Sequence, residues 1–208
     1  MIVSESRQFV FVHIFKTAGT SIKRAVRRYA MPGWHEAANF VLKRIGIPQF
    51  GPPSHGDHFK ASDLIGEIGR KEFDRLFSFA FVRNPWDWEL SHYRYISKHN
   101  DHPEHMDVSR LGTFDEYVRW RCDGRFQTQE SFLLYNEKEV VDFVGRFENL
   151  QSDFGYVCNR IGIPFRLPRL NRTRSDDYRP NYDDQTREIV ARTYADDIRR
   201  FGYTFDAA

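Results

Sequence analysis

Six consecutive residues, Lys16-Thr17-Ala18-Gly19-Thr20-Ser21, set one cation, one glycine and three hydroxyls in a row. Those types suit the capture of a phosphate or sulfate. The ammonium brings charge, hydroxyls and backbone N–H groups donate, and glycine permits close approach of the backbone. A second set joins Arg83 to Ser91, eight positions later. Arginine offers a planar fork of donors matched to a phosphate, and a serine about two helical turns on adds one more. A third element is a proton acceptor for a nucleophile. Eight histidines offer it, among them His55 and His58, the second opening the run His58-Phe59-Lys60-Ala61-Ser62-Asp63-Leu64. An imidazole titrating near about 6.5 suits the removal of a hydroxyl proton. Asp57 and Glu89 stand as partners or substitutes for that base.

These residues need rigid elements beneath them. Phe9-Val10-Phe11-Val12-His13-Ile14-Phe15 is nearly all apolar, as a parallel strand covered on both faces would be. The six-residue turn follows it, and a helix over 21–29 follows the turn, stopped by Pro32-Gly33. Such a helix aims free N–H groups and its positive dipole end at the turn. Phe77–Val82 reads as a second buried strand, and Pro85 opens the next helix, 86–98. A third strand is expected over 140–146. Further helices are expected over 39–44, 61–68, 114–121, 131–135, 150–161 and 184–201, with 99–112 as a polar loop. Thr113 reads as a cap, and Gly162 as a stop. Alternating strands and helices imply an α/β fold: a single domain over 1–208, with a central, mainly parallel sheet flanked by helices. Ligands on such sheets bind at the carboxyl ends of strands, where both motifs lie.

The first turn departs from the ordinary P-loop, G-x-x-x-x-G-K-[ST], because its lysine precedes the glycine. FVHIFKTAGTSI instead resembles the 5′-phosphosulfate loop of sulfotransferases that use 3′-phosphoadenosine 5′-phosphosulfate (PAPS). The resemblance is to the carbohydrate type, related to heparan sulfate 2-O-sulfotransferase and its bacterial relatives. Phe15 stands where that family commonly has proline. Phe81-Val82-Arg83-Asn84-Pro85-Trp86-Asp87-Trp88-Glu89-Leu90-Ser91 is similar to its 3′-phosphate motif. Later segments, Gly145–Leu150, Leu167–Tyr178 and Asp197–Phe205, are similar too; 31–57 and 99–130 are not.

The resemblance implies that Lys16, Thr17, Ala18, Gly19, Thr20 and Ser21 bind the phosphosulfate. It implies that Arg83 and Ser91 bind the 3′-phosphate, and that Thr173 and Arg174 lie in a loop closing over the nucleotide. His58 is then the base and Lys16 neutralises the leaving oxygen. The implied product is adenosine 3′,5′-bisphosphate, and the implied acceptor is a hydroxyl on a glycan or glycoconjugate. A P-loop-like small-molecule or nucleotide kinase is the alternative, as is a non-catalytic protein that binds PAPS or its product.

Composition narrows the classes further. Formal net charge is +2, which argues against a general nucleic-acid binder. Two cysteines, Cys122 and Cys158, are too few for a disulfide framework and fit reduced thiols in a cytoplasmic protein. No run of about 18 apolar residues suggests a membrane span. His55-x-Asp57-His58 and His99-x-x-His102-x-x-His105 hold ligand types without a specific metal spacing, so no metal is assigned. Trp86 and Trp88 read as packing aromatics.

Overall fold

The computed structural model describes residues 1–30, 41–42, 44, 59–167 and 177–206. In chain order, the elements are β1 (Ile2–Ser4), β2 (Phe9–Val12), α1 (Gly19–Val26), α2 (Ala61–Ile68), α3 (Arg70–Phe73), β3 (Phe77–Val82) and α4 (Pro85–Lys98). There follow α5 (His105–Leu111), α6 (Phe114–Cys122), β4 (Leu134–Tyr135), β5 (Lys138–Glu139), β6 (Phe143–Arg146), α7 (Leu150–Arg160), α8 (Asp184–Thr193) and α9 (Ala195–Phe201). The chain divides into two compact units. One holds Met1–Val82 with Phe132–Leu170, and the other holds Arg83–Ser131 with Asn171–Ala208.

The first unit is built on a sheet of order β1-β2-β3-β6. β2 and β3 run parallel, with Phe9 opposite Phe77 and Val12 opposite Ala80. β3 and β6 are parallel as well. β1 pairs antiparallel on the edge, Ile2 opposite Phe11, so the expected α/β sheet is mixed but mainly parallel. All four residues of β2 are fully buried, as an apolar strand lacking a polar face requires. On one face, Phe9, Phe11, Phe79 and Phe81 meet Ile22 and Val26 of α1 and Phe154, Val157 and Cys158 of α7. Each such side chain contributes about 1.5–3 kcal/mol on burial. Gly145 lies opposite Phe81 across the β3–β6 pair. A Cβ at Gly145 would come within 2.5 Å of the Phe81 ring, so the strand needs glycine there to let the phenyl lie across it.

The second unit is helical. Asn84 caps α4 by accepting from the Trp86 amide at 3.2 Å, one residue before Pro85 in the first turn. Thr113 caps α6 in a capping box: its Oγ1 accepts from the Glu116 amide, and the Glu116 carboxylate accepts from the Thr113 amide. Trp88, Tyr117 and Tyr194 fill the interior, and the Trp86 indole N–H donates to Arg187 O at 3.0 Å. Trp86 and Trp88 are thus packing aromatics, 4% and 0% exposed.

Several boundaries differ from expectation. The first strand stops at Val12, because the chain leaves extended geometry for the turn that follows. The third begins at Phe143, since Asp142 instead ties Ser78: its carboxylate accepts from the Ser78 amide and hydroxyl. Residues 131–135 do not form a helix. A 3-10 turn over Glu130–Phe132 leads into a β4–β5 hairpin whose turn residues Asn136 and Glu137 have φ of 50° and 63°. That is the left-handed geometry of a type I′ turn, and asparagine tolerates it. The 99–112 loop contains α5. The last helix is broken at Tyr194, whose hydroxyl and ring are drawn into the interior. The 39–44 helix lies mostly outside the described residues.

Candidate active site

The first anion loop leaves the carboxyl end of β2. His13 and Ile14 are still buried, and then Lys16 and Ala18 both turn left-handed, with φ of 61° and 67°. Neither is glycine, so each carries a backbone cost of about 1–3 kcal/mol that the surroundings must offset. One offset is a buried staple, in which Thr17 Oγ1 donates to Ile14 O at 2.8 Å. The Thr17 hydroxyl is therefore turned into the protein, and its expected part in anion binding rests on its backbone. α1 starts at once: the amides of Ser21 and Ile22 donate to Ala18 O at 3.0 and 3.1 Å. The Gly19 and Thr20 amides precede any intrahelical acceptor. Left-handed residues running into a helix start turn successive amides toward one point, the concavity that receives anions. Lys16 is half-buried, Thr20 exposed and Ser21 buried.

Gly19 has a second reason to be glycine. A Cβ built there would lie 1.8 Å from His13 Nε2 and 1.9 Å from His13 Cδ2. The imidazole, 8% exposed and packed on Phe11 at 5.8 Å between centroids, occupies the space of a side chain. His13 thus props the start of α1. Sequence reasoning passed over it, although a polar residue in an apolar strand was a visible signal. Phe15 meets the buried Phe132 ring edge-on at 6.2 Å, and the Lys60 ammonium lies 5.9 Å from the same ring. Phe15 and Lys60 thus both lie against Phe132. His58, His55 and Asp57 lie outside the described residues, as do Thr173 and Arg174.

Arg83 follows β3 directly and begins the second unit. Its backbone is clamped on both sides by one side chain. Gln129 Oε1 accepts from the Arg83 amide, and Gln129 Nε2 donates to the Arg83 carbonyl, both at 2.8 Å. Gln129 is fully buried, and Asp197 fixes it in turn by accepting from the amides of Gln129 and Glu130 at 2.8 Å. Burial pushes the Asp197 carboxyl up to about 6 despite those two bonds. The Arg83 side chain is aimed by Asp87, one turn on, whose Oδ2 accepts from Nε at 2.7 Å. Asn84 reaches away from it, donating to Tyr178 Oη at 3.1 Å and Thr204 O at 2.9 Å. Ser91 is 7% exposed on α4. Gln129 was missed because it adjoins no motif and a buried carboxamide leaves no periodic mark; Asp197 opens the Asp197–Phe205 segment, but its bonds to the Gln129 and Glu130 amides are not visible in a sequence.

Glu89 is not available as a base. It is fully buried, and it accepts from Tyr117 Oη at 2.8 Å and Tyr194 Oη at 2.5 Å, with Arg121 Nε 3.9 Å away. Burial raises its pKa against the pull of Arg121. It organises the interior of the second unit instead. Burial also pushes the thiols of Cys122 to about 12 and Cys158 to about 11, so both stay protonated near neutrality and neither serves as a nucleophile. No described helix is long and apolar enough to cross a membrane.

Over 119 residues the chain is 36% identical to an uncharacterised protein of Archaeoglobus fulgidus, covering 56% of this chain and 93% of that one. Over 190 residues it is 25% identical to carbohydrate sulfotransferase 14 of Danio rerio, covering 79% of this chain and 48% of that one. The chain thus spans about half the length of that curated relative. No solved structure matches significantly. The family model described as "Sulfotransferase family" matches residues 1–204, the 16–21 and 83–91 segments included, and the chain belongs to that family.

Proposed function

We propose that the protein transfers a sulfuryl group from PAPS to a hydroxyl, on a glycan or glycoconjugate, by in-line displacement. The observation that carries the reading is the 16–21 loop: left-handed Lys16 and Ala18 lead into the start of α1, where the amides of Gly19 and Thr20 have no acceptor within the helix. In this reading those amides, with Lys16, Thr17, Ala18 and Ser21, hold the 5′-phosphosulfate. Arg83 and Ser91 hold the 3′-phosphate, Arg83 with a backbone locked by Gln129 and a guanidinium aimed by Asp87. Thr173 and Arg174 complete the nucleotide site.

The step needs one proton moved and one charge stabilised. His58 takes the acceptor hydroxyl proton as that oxygen attacks sulfur. The bond from sulfur to the bridging oxygen breaks, and Lys16 neutralises charge growing on the leaving phosphate. Adenosine 3′,5′-bisphosphate departs. No covalent intermediate or metal ion enters the step. The relative's printed name, carbohydrate sulfotransferase, supports a carbohydrate acceptor. In this reading residues 1–208 make up a single sulfotransferase domain, working in a cytoplasmic setting where the donor is supplied.

Thermal stabilisation distinguishes this reading from a kinase. Adenosine 3′,5′-bisphosphate without magnesium raises the melting temperature more than ATP with magnesium does. A response confined to ATP with magnesium overturns the proposal.

A further inference from the structure

The second unit brings together three side chains that neither motif uses. One ring nitrogen each of His92 and His102 and a carboxylate oxygen of Glu104 lie within 4.8 Å of one another. The sequence offered a different grouping, His99, His102 and His105, which the structure separates. His99 Nδ1 is bonded to Tyr95 O at 2.7 Å and His105 Nδ1 to Ile96 O at 2.8 Å, both carbonyls of α4. Of those three histidines, the metal-competent cluster keeps only His102 and takes His92 from α4.

The surroundings orient His92. His92 is 7% exposed, and its Nδ1 lies 3.0 Å from Tyr117 Oη. Tyr117 has a single hydroxyl proton, which it donates to Glu89. His92 Nδ1 must therefore be the donor to Tyr117, which leaves the ring's lone pair on Nε2. A metal-ligating imidazole is oriented by such a bond from its other nitrogen. The Glu104 amide donates to His102 Nδ1 at 3.2 Å, so ligation through Nδ1 displaces that bond, and ligation through Nε2 requires the ring proton to sit on Nδ1. Arg121 Nη1 lies 3.4 Å from Glu104 Oε1 and orients the carboxylate, while its own charge also faces Glu89.

We propose that His92, His102 and Glu104 bind a divalent transition-metal ion of the zinc class. Two imidazoles and one carboxylate suit zinc, with water completing a four-coordinate shell. The ion joins the 102–104 turn to α4 and takes no part in sulfuryl transfer.

Calorimetric titration of zinc into the chelator-treated full chain tests this, with circular dichroism confirming that each variant is folded. Wild type binds one zinc per chain. His102→Ala and Glu104→Gln, both on partly exposed residues, weaken binding by about tenfold or more, and Tyr117→Phe does so by about tenfold through loss of the His92 orienting bond. His99→Ala leaves affinity unchanged. Absence of saturable one-to-one binding overturns the proposal. So does wild-type affinity in both His102→Ala and Glu104→Gln, or an equal loss in His99→Ala, which marks adventitious binding to surface histidines.

Discussion

Replacing Gly19 by alanine sets two effects of opposite sign against each other. Gly19 is the first residue of α1 and needs no positive φ, so in open space the change would stabilise the protein by roughly 0.5–1 kcal/mol. The space is not open. A Cβ would stand 1.8 Å from His13 Nε2, whereas non-bonded heavy atoms settle about 3.5 Å apart. The ring or the helix start must therefore yield by roughly 1.7 Å. His13 is buried against Phe11 and cannot swing into solvent, so the helix start moves. Overpacking of this kind costs about 1–3 kcal/mol, and a displacement of about 1 Å in a positioning element costs about 100-fold in rate. The assay is a double-mutant cycle over His13→Ala and Gly19→Ala. It reads melting temperature, affinity for adenosine 3′,5′-bisphosphate, and transfer rate. Gly19→Ala alone is destabilised and slow. The double variant recovers most of both, because the methyl then occupies the space left by the imidazole. A stabilised, active Gly19→Ala refutes the reasoning, and so does a double variant no better than Gly19→Ala.

Two further outcomes follow from the second unit. Gln129→Leu strips the Arg83 amide and carbonyl of their buried partners at about 1–3 kcal/mol each. It should weaken adenosine 3′,5′-bisphosphate binding far more than Arg119→Ala, an exposed control, when both are measured by calorimetry. Asp197 sets a pH dependence whose sign is fixed by its raised carboxyl, about 6 against an ordinary 3.8. Between those values the folded state holds a proton that the unfolded state has lost. The Asp197 contribution is thus fully present below the ordinary value and falls as pH rises through 6, by up to about 3 kcal/mol. Chemical denaturation of wild type and Asp197→Asn at pH 4 and pH 7 checks this: the wild-type advantage should shrink at pH 7, and a constant difference would contradict it.

Much of the scaffold was legible because it follows from local chemistry. The apolar runs Phe9–Val12 and Phe77–Val82 had to be buried strands, and Thr113, Pro85 and Gly162 marked helix ends through capping and φ preference. The antiparallel β1 escaped because three residues carry too little periodicity. The β4–β5 hairpin escaped because its turn, Asn136-Glu137, lacks the glycine that usually announces one. In the candidate site, the 16–21 loop and the Arg83–Ser91 pair stood out by residue type and spacing. The residues that position them did not. His13, Gln129 and Asp197 act through burial and long-range bonds, Gln129 to Arg83 across 46 positions and Asp197 to Gln129 across 68. Such pairings emerge only once the chain is folded.

The central claim is sulfuryl transfer centred on Lys16, and radiolabelled sulfate moved from PAPS to a panel of sugar acceptors tests it most directly. Wild type should label at least one hydroxyl-bearing sugar. Lys16→Ala should lose far more transfer than adenosine 3′,5′-bisphosphate affinity, since its ammonium meets charge that grows only as the bond breaks. His58→Ala should lose transfer with nucleotide affinity kept. Transfer undiminished in Lys16→Ala, or losses of equal size in transfer and in nucleotide affinity, would contradict the account.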